Sequence, residues 1–190
     1  MLGADGPFGG TLQGFAPRDE QIHMAEAVES ALAGGRTLVV EAGTGIGKTL
    51  AYLVPALLSG ERVIVSTGTK TLQDQLFFKD LPLVRETLGL SLRPALLKGR
   101  ANYLCRHRMQ LARTDGRLPT RGAVTELEAV LDWSARTEDG DLSIAGVVSD
   151  DSGLLPLVTS TTDNCLGSEC PEFDDCFVAR ARRQAQEADV

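Results

Sequence analysis

The fold of this chain is decided by residues 41–49, which read Glu-Ala-Gly-Thr-Gly-Ile-Gly-Lys-Thr. From Ala42 onward the form is A-x-x-G-x-G-K-T, with alanine at the first position of the G-x-x-x-x-G-K-[ST] pattern. A short β-branched run (37–40) precedes the segment, and an apolar helical pattern (48–58) follows it. A strand, a glycine-rich turn and a helix in this order predict a loop that binds phosphates through backbone N–H groups and the helix N-terminus.

The residues of this loop have distinct predicted roles. Lys48 is predicted to reach the β and γ phosphates of a nucleotide, and Thr49 to ligate Mg²⁺. The remaining loop residues, whose backbone would surround the phosphates, are Ala42, Gly43, Thr44, Gly45, Ile46 and Gly47. Upstream, Arg18 and Gln21 are candidates for adenine recognition, because an amide offers both a donor and an acceptor. An ordinary exposed helix start is the alternative for these two residues.

Strands and helices are predicted to alternate in the first half of the chain. The expected strands are 37–40, 62–67 and 92–97, and the expected helices 48–58 and 69–80. This order is typical of an α/β fold with a parallel sheet covered on both faces. The predicted fold class is therefore a P-loop NTPase sheet of the RecA-like type, incomplete within this chain.

The alternation is predicted to stop after residue 98. Two helical patterns, 103–113 and 120–135, are followed by acidic loops and a group of cysteines. We expect residues 1–98 to form the first part of the motor domain and 99–183 a mostly helical insertion. Residues 184–190 would begin the return to the sheet.

All the cysteines of the chain lie in the predicted insertion. They are Cys105, Cys165, Cys170 and Cys176, and the last three have the spacing C-x4-C-x5-C. Four thiols can bind zinc, hold an iron–sulfur cluster, form disulfides or be unrelated. Structural zinc sites usually contain short C-x2–4-C pairs, and no C-x2-C is present. The spacing therefore favours an iron–sulfur cluster, with zinc as the alternative.

Charge is distributed unevenly along the chain, whose net charge is −7. Residues 70–121 carry 11 basic and 4 acidic side chains, a net of +7, whereas residues 122–176 carry 1 basic and 13 acidic, a net of −12. A basic stretch between the loop and the cysteines is where a nucleic-acid backbone could be held. The expected contacts are Lys98, Arg100, Arg106 and Arg108. A solvated surface is the alternative.

No membrane segment is predicted, since the longest apolar stretches, such as residues 53–58, are much shorter than the roughly 20 residues that cross a bilayer. The first ten residues lack the pattern of a signal peptide. We therefore expect a cytoplasmic protein that does not bind membranes, in a reducing compartment where thiols bind metal rather than pair as disulfides.

The chain resembles the XPD/DinG-type helicases of superfamily 2, in their bacterial YoaA/DinG branch. The matching segments are F-A-P-R-D-E-Q (15–21), E-A-G-T-G-I-G-K-T (41–49), S-T-G-T-K-T-L-Q-D-Q-L (66–76), K-G-R-A-N-Y-L-C (98–105) and the C-x4-C-x5-C group. The resemblance implies that the four cysteines hold a 4Fe–4S cluster, that Gln21 belongs to an adenine-recognising motif, and that residues 66–76 contact single-stranded DNA.

The resemblance also implies an activity. The family unwinds DNA with 5′-to-3′ polarity at the expense of ATP, in repair or replication, so the expected partners are single-stranded DNA, duplex junctions and a replication or repair protein. We expect a monomer. The D-E-A-H sequence that the family requires does not occur here, so we expect a fragment that is inactive by itself. Another P-loop ATPase with a zinc insertion, or a non-catalytic DNA- or partner-binding module, is the alternative.

Overall fold

The computed structural model describes residues 1–11 and 14–190. By their internal contacts the described residues divide into two compact units. The first unit contains residues 1–95 together with 188–190, and the second contains residues 96–187.

The first unit is built from helices. They are α1 (Pro7–Thr11), α2 (Asp19–Ala33), α3 (Lys48–Leu58), α4 (Lys70–Gln75) and α5 (Leu81–Leu88), with a π-helical turn (Leu76–Asp80) between α4 and α5. Thr69 caps α4 by accepting a hydrogen bond from the Leu72 N–H at 3.2 Å, which satisfies an amide that the helix itself leaves without an acceptor. The predicted helix over 48–58 is confirmed, and the predicted helix over 69–80 continues to Leu88 through the π-helical turn.

The core of the first unit forms around α3. Leu53 and Val54 of this helix are buried together with Phe8, Leu81 and Val84. Fully burying an aliphatic or aromatic side chain of this size stabilises a fold by about 1.5–3 kcal/mol. Because Lys48 and Thr49 begin the same helix, this packing fixes the helix N-terminus onto which the loop leads.

The three predicted strands are not assigned as strands in the described part of the chain. Two apolar side chains in these segments, Val39 and Ile64, are 91% and 90% exposed. A strand requires neighbours that pair with its backbone. Here the Val63 N–H donates to the Asp189 carbonyl at 2.9 Å, and the Ala95 N–H donates to the Val190 carbonyl at 2.8 Å. These pairings are too few for a ladder, so the predicted parallel sheet is not confirmed by the structure.

The second unit is also helical. Its helices are α6 (Arg106–Asp115), α7 (Arg121–Ser134), α8 (Leu142–Ala145), α9 (Leu155–Val158) and α10 (Phe177–Glu187), with 3-10 turns at Arg100–Asn102 and Gly167–Glu169. The two helices predicted over 103–113 and 120–135 correspond to α6 and α7. Leu104, Val130, Leu154, Val158 and Phe177 form the buried core.

Within residues 1–11 and 14–190, no helix has the length and the apolar character needed to cross a bilayer.

Candidate functional site

The phosphate loop leads directly into α3. Gly45 and Gly47 have φ values of +83° and +84°, in the left-handed region that side chains with a Cβ rarely adopt. Gly47 is the N-cap residue of α3. Residues 43–45 are exposed. The loop thus presents accessible backbone at the positive end of an eleven-residue helix, which is the arrangement that favours a bound anion.

Gln21 contacts this loop through its side-chain amide. Its side-chain Nε2 donates a hydrogen bond to the Gly47 carbonyl at 3.0 Å, and the residue is only 3% exposed. A Cβ at position 47 would lie 2.1 Å from the same Nε2. The sequence interpretation assigned this amide to adenine and missed its contact with the loop. Arg18 also reaches the loop, with its guanidinium donating to the Gly45 carbonyl.

Lys48 folds back over the loop that precedes it. Its Nζ donates to the Ala42 carbonyl at 2.9 Å and to the Gly43 carbonyl at 2.6 Å. A phosphate oxygen carries more negative charge than a carbonyl, and hydrogen bonds to charged acceptors are the stronger ones. The ammonium is therefore held at the loop by acceptors that a phosphate group can replace.

Thr49 follows Lys48 in the first turn of α3 and interacts with Tyr52. Burial raises the pKa of Tyr52, and Asp80 adds to this, whereas the side-chain hydrogen bond with Thr49 acts in the opposite direction. The predicted Mg²⁺ ligand, Thr49, thus lies beside Lys48 at the N-terminal end of α3.

The four thiols of the second unit are free and half-buried. Cys105 is the N-cap residue of α6, and its N–H donates to the Val158 carbonyl at 2.7 Å. Cys170 and Cys176 are linked by two consecutive turns. The Phe173 N–H donates to the Cys170 carbonyl, and the Cys176 N–H donates to the Phe173 carbonyl. Burial raises the pKa of the Cys105 thiol, and the other three thiols raise it further. The other three thiols are therefore within electrostatic range of Cys105.

Among the described residues, no group of three or more His, Cys, Asp or Glu side chains is placed to hold a metal ion. The expected iron–sulfur site is therefore not shown by the structure.

The expected role of Lys98 in contacting nucleic acid is wrong. Its Nζ lies 2.8 Å from Asp141 Oδ2, and the two side chains are 1% and 6% exposed. Two of the other expected contacts are also engaged within the unit: the Arg106 guanidinium lies 4.6 Å from the centre of the Phe177 ring, and Arg108 donates to the Pro156 carbonyl at 2.9 Å. A basic side chain that is buried in an ion pair is not available to a phosphate backbone.

The sequence profile of the DEAD/DEAH box helicases matches residues 22–128, more than half of the chain. The chain therefore belongs to the DEAD/DEAH box helicase family, as expected from its motifs, and this membership implies the P-loop NTPase fold with ATP and Mg²⁺ at the loop. Individual relatives within this family have more specific names.

Over 187 residues the chain is 51% identical to the ATP-dependent DNA helicase YoaA of Escherichia coli K12, covering 98% of this chain and 29% of the relative. It is 45% identical over 190 residues to the protein of the same name from Haemophilus influenzae, covering 100% and 30%. It is also 40% identical over 200 residues to the ATP-dependent helicase DinG of Mycobacterium tuberculosis H37Rv, covering 93% and 30%. The chain thus spans about three tenths of the length of these relatives.

Proposed function

We propose that the protein is an ATP-dependent DNA helicase that acts in DNA repair or replication with 5′-to-3′ polarity. Residues 1–98 and 184–190 would belong to its first motor domain, and residues 99–183 would form an inserted 4Fe–4S domain. The division of the structure at residues 95 and 188 supports this assignment, as do the names of the relatives.

The observation that carries the proposal is the loop at the start of α3. The backbone of residues 42–47 would surround the phosphates of ATP, and the dipole of α3 would add to their binding. Lys48 would leave its two carbonyl acceptors and bind the β and γ phosphates. Thr49 would ligate Mg²⁺. Arg18 and Gln21 would support the loop from the side of α2.

The four thiols fit a 4Fe–4S cluster by the chemistry of the donor set. Cys105, Cys165, Cys170 and Cys176 are all free and half-buried, and the last three are within electrostatic range of Cys105. Thiolate sulfurs are the usual protein ligands of such clusters. A cluster of four irons holds its ligands farther apart than a single ion does. No group of side chains in the described residues is placed to hold one metal ion, and this finding argues against zinc more directly than against a cluster. When bound, the cluster would cross-link four points of the chain and so stabilise the second unit.

DNA would be the macromolecular partner, as single strands and at duplex junctions. Gly68, Thr69 and Lys70 are exposed at the start of α4 and would contact the strand within residues 66–76. Backbone and hydroxyl contacts of this kind bind phosphates without reading sequence. The protein would act as a monomer in the cytoplasm, and a replication or repair protein would recruit it to DNA.

ATP hydrolysis by the full-length protein tests the nucleotide site. Replacing Lys48 with Ala removes the cation aimed at the transferred phosphate, and we expect DNA-stimulated hydrolysis to fall by roughly 10²–10³-fold. Lys79→Ala, which changes an exposed lysine outside the loop, is the matched control and should retain activity. Unchanged hydrolysis in Lys48→Ala would contradict the assignment.

Anaerobic purification tests the cluster. A brown protein that absorbs near ~400 nm and contains iron and sulfide supports iron–sulfur ligation. A colourless protein that contains zinc would overturn it and leave the nucleotide site unaffected.

A further inference from the structure

We infer that the turn formed by residues 137–141, here called the brace turn, positions Cys105 relative to Cys176. The inference rests on the proposed cluster site, since it concerns how two of its four ligands are held. The brace turn is closed by its own side chains: the Gly140 N–H donates to Thr137 Oγ1 at 3.0 Å, and the Asp141 N–H donates to Asp139 Oδ1 at 3.0 Å.

On one side the brace turn holds the segment that leads into Cys105. The Leu104 N–H donates to the Gly140 carbonyl at 2.8 Å, and Tyr103 forms an isolated antiparallel bridge with Asp141. Lys98 adds its buried ion pair with the Asp141 carboxylate. The backbone immediately before Cys105 is therefore fixed to the turn by hydrogen bonds and by an ion pair.

On the other side the brace turn holds the segment that follows Cys176. The Phe177 ring, 1% exposed, lies directly against Gly140. One turn further along α10, the Arg180 guanidinium donates to the Glu138 carbonyl at 2.8 Å. The same arginine lies 5.7 Å from the centre of the Phe177 ring. The first turn of α10, and with it Cys176, is thus set by contacts with the brace turn.

Gly140 is the residue on which both sides depend. Its φ is +69°, and a Cβ at this position would lie 2.3 Å from Phe177 Cγ. Its carbonyl meanwhile accepts the bond from Leu104. A side chain at position 140 would therefore push the residue next to Cys176 away from the turn that holds the residue next to Cys105.

Gly140→Ala and Gly146→Ala in the intact protein separate positioning from backbone strain. Gly146 has a similar φ of +64°, but a Cβ at that position would meet no atom within 4 Å, so both variants bear the same local strain and only Gly140→Ala displaces Phe177. After anaerobic reconstitution we expect Gly140→Ala to lose affinity for iron by about tenfold or more, as is usual for groups that orient metal ligands. Gly146→Ala should load like the parent, and equal loading of the two variants would overturn the inference.

A second measurement avoids iron altogether. In metal-free protein carrying Cys165→Ser and Cys170→Ser, Cys105 and Cys176 are the two thiols left within residues 1–190, and a short bis-maleimide can join them. We expect the cross-linking rate to fall by about tenfold in Gly140→Ala relative to Gly146→Ala, because the second step depends on the local concentration of the partner thiol. Equal rates, or no cross-link in the parent, would refute the brace. A failure to bind iron in all variants would instead refute the cluster, and the cross-linking result would still decide the role of the turn.

Arg180→Met provides the same test should Gly140→Ala fail to fold. It removes the bond to the Glu138 carbonyl and adds nothing to the turn. Arg182→Met, an exposed arginine of the same helix, is its control. Cross-linking that is slower in Arg180→Met than in Arg182→Met supports the brace, and equal rates contradict it.

Discussion

Removing either partner of the buried ion pair should destabilise the second unit strongly. Lys98 Nζ and Asp141 Oδ2 are 2.8 Å apart, and their side chains are 1% and 6% exposed. Lys98 Nζ also donates to Ser143 Oγ at 2.9 Å. Lys98→Met therefore removes the cation that lies 2.8 Å from a buried carboxylate, and Asp141→Asn removes the carboxylate that lies 2.8 Å from a buried ammonium.

The magnitude follows from this burial. Breaking a buried pair by removing one partner costs about 3–5 kcal/mol, because the remaining charge keeps its desolvation penalty and loses its compensation. The double variant Lys98→Met/Asp141→Asn removes both charges, while an amide oxygen at position 141 can still accept the Ser143 N–H that caps α8. We expect its free energy of unfolding to exceed that of either single variant, with a coupling energy of about 2–3 kcal/mol.

The only tryptophan of the chain makes the assay selective. Trp133 lies in α7 and packs against the core of the second unit, so its fluorescence in urea follows the unfolding of that unit. All variants should be compared at the same iron content, since a bound group would add to stability. Arg117→Met is the control: Arg117 is 88% exposed and 3.9 Å from Asp115, and its loss should change stability by about 0.5 kcal/mol or less.

Two results would refute this reasoning. A loss below about 1 kcal/mol in both single variants would mean that the pair behaves as a solvated one. Strictly additive single effects in the double variant would mean that the two charges do not interact.

Three further predictions concern the first unit. Gln21→Ala should weaken ATP and GTP binding by a similar factor of up to about tenfold, since the Gly47 carbonyl loses the bond from Gln21 and keeps only that from the Ala51 N–H, a loss of about 0.5–1.5 kcal/mol; competition with a fluorescent nucleotide measures it, and a loss confined to ATP would favour adenine recognition. Leu53→Ala should cost about 2–5 kcal/mol in urea unfolding followed by circular dichroism, because Leu53 is completely buried, and a smaller loss would mean that α3 does not anchor the core. The side-chain hydrogen bond from Arg93 lowers the pKa of Asp189, so this contact stabilises the fold above the ordinary carboxyl range and is lost as pH falls through the lowered pKa. Hydrogen exchange of the Arg93 N–H, corrected for its intrinsic rate, should show less protection in acid; an Asp189→Asn variant with the same acid dependence would contradict this.

Local patterns predicted much of the helical structure. The helix from Lys48 to Leu58 follows from its apolar spacing and from the glycine-rich turn that precedes it, and the helix that begins at Arg121 corresponds to the helical pattern over 120–135 and is capped by Thr120. Both signals act within a few residues of the chain, so no knowledge of the tertiary structure is needed to read them.

The predicted strands are not confirmed in the described residues, and the physical reason is that pairing is not a local property. Residues 37–40 and 62–67 have the composition of buried strands, but composition does not supply a neighbouring backbone. The structure pairs residues 63 and 95 with residues 189 and 190 and leaves Val39 and Ile64 exposed. Family membership implies a P-loop NTPase fold for this region, and the described residues add to these pairings only the bonds that the Asp189 and Val190 N–H groups donate to the Arg93 carbonyl.

Polar side chains whose partners are distant in sequence account for the other differences. Lys98 and Asp141 are 43 positions apart, so a pattern of basic residues assigned Lys98 to a nucleic-acid surface when it lies in a buried pair. The sequence E-D-G-D at 138–141 predicts a turn, but nothing local shows which segments that turn would join.

Gln21 is a further example, because a contact that the sequence does not show adds a second role to a residue of the predicted nucleotide site. Recognition of adenine by an amide uses its donor and its acceptor together, and in this structure the Nε2 of Gln21 already donates to the Gly47 carbonyl. Because the residue is 3% exposed, an adenine ring could reach both edges of the amide only if the side chain moved, and the Gly47 carbonyl would then keep only its bond from the Ala51 N–H. A glycine at position 47 allows the approach, since a Cβ there would collide with the amide. The loop and Gln21 are therefore in direct contact, and recognition of adenine by this side chain stays a prediction, which the comparison of ATP and GTP binding in Gln21→Ala tests.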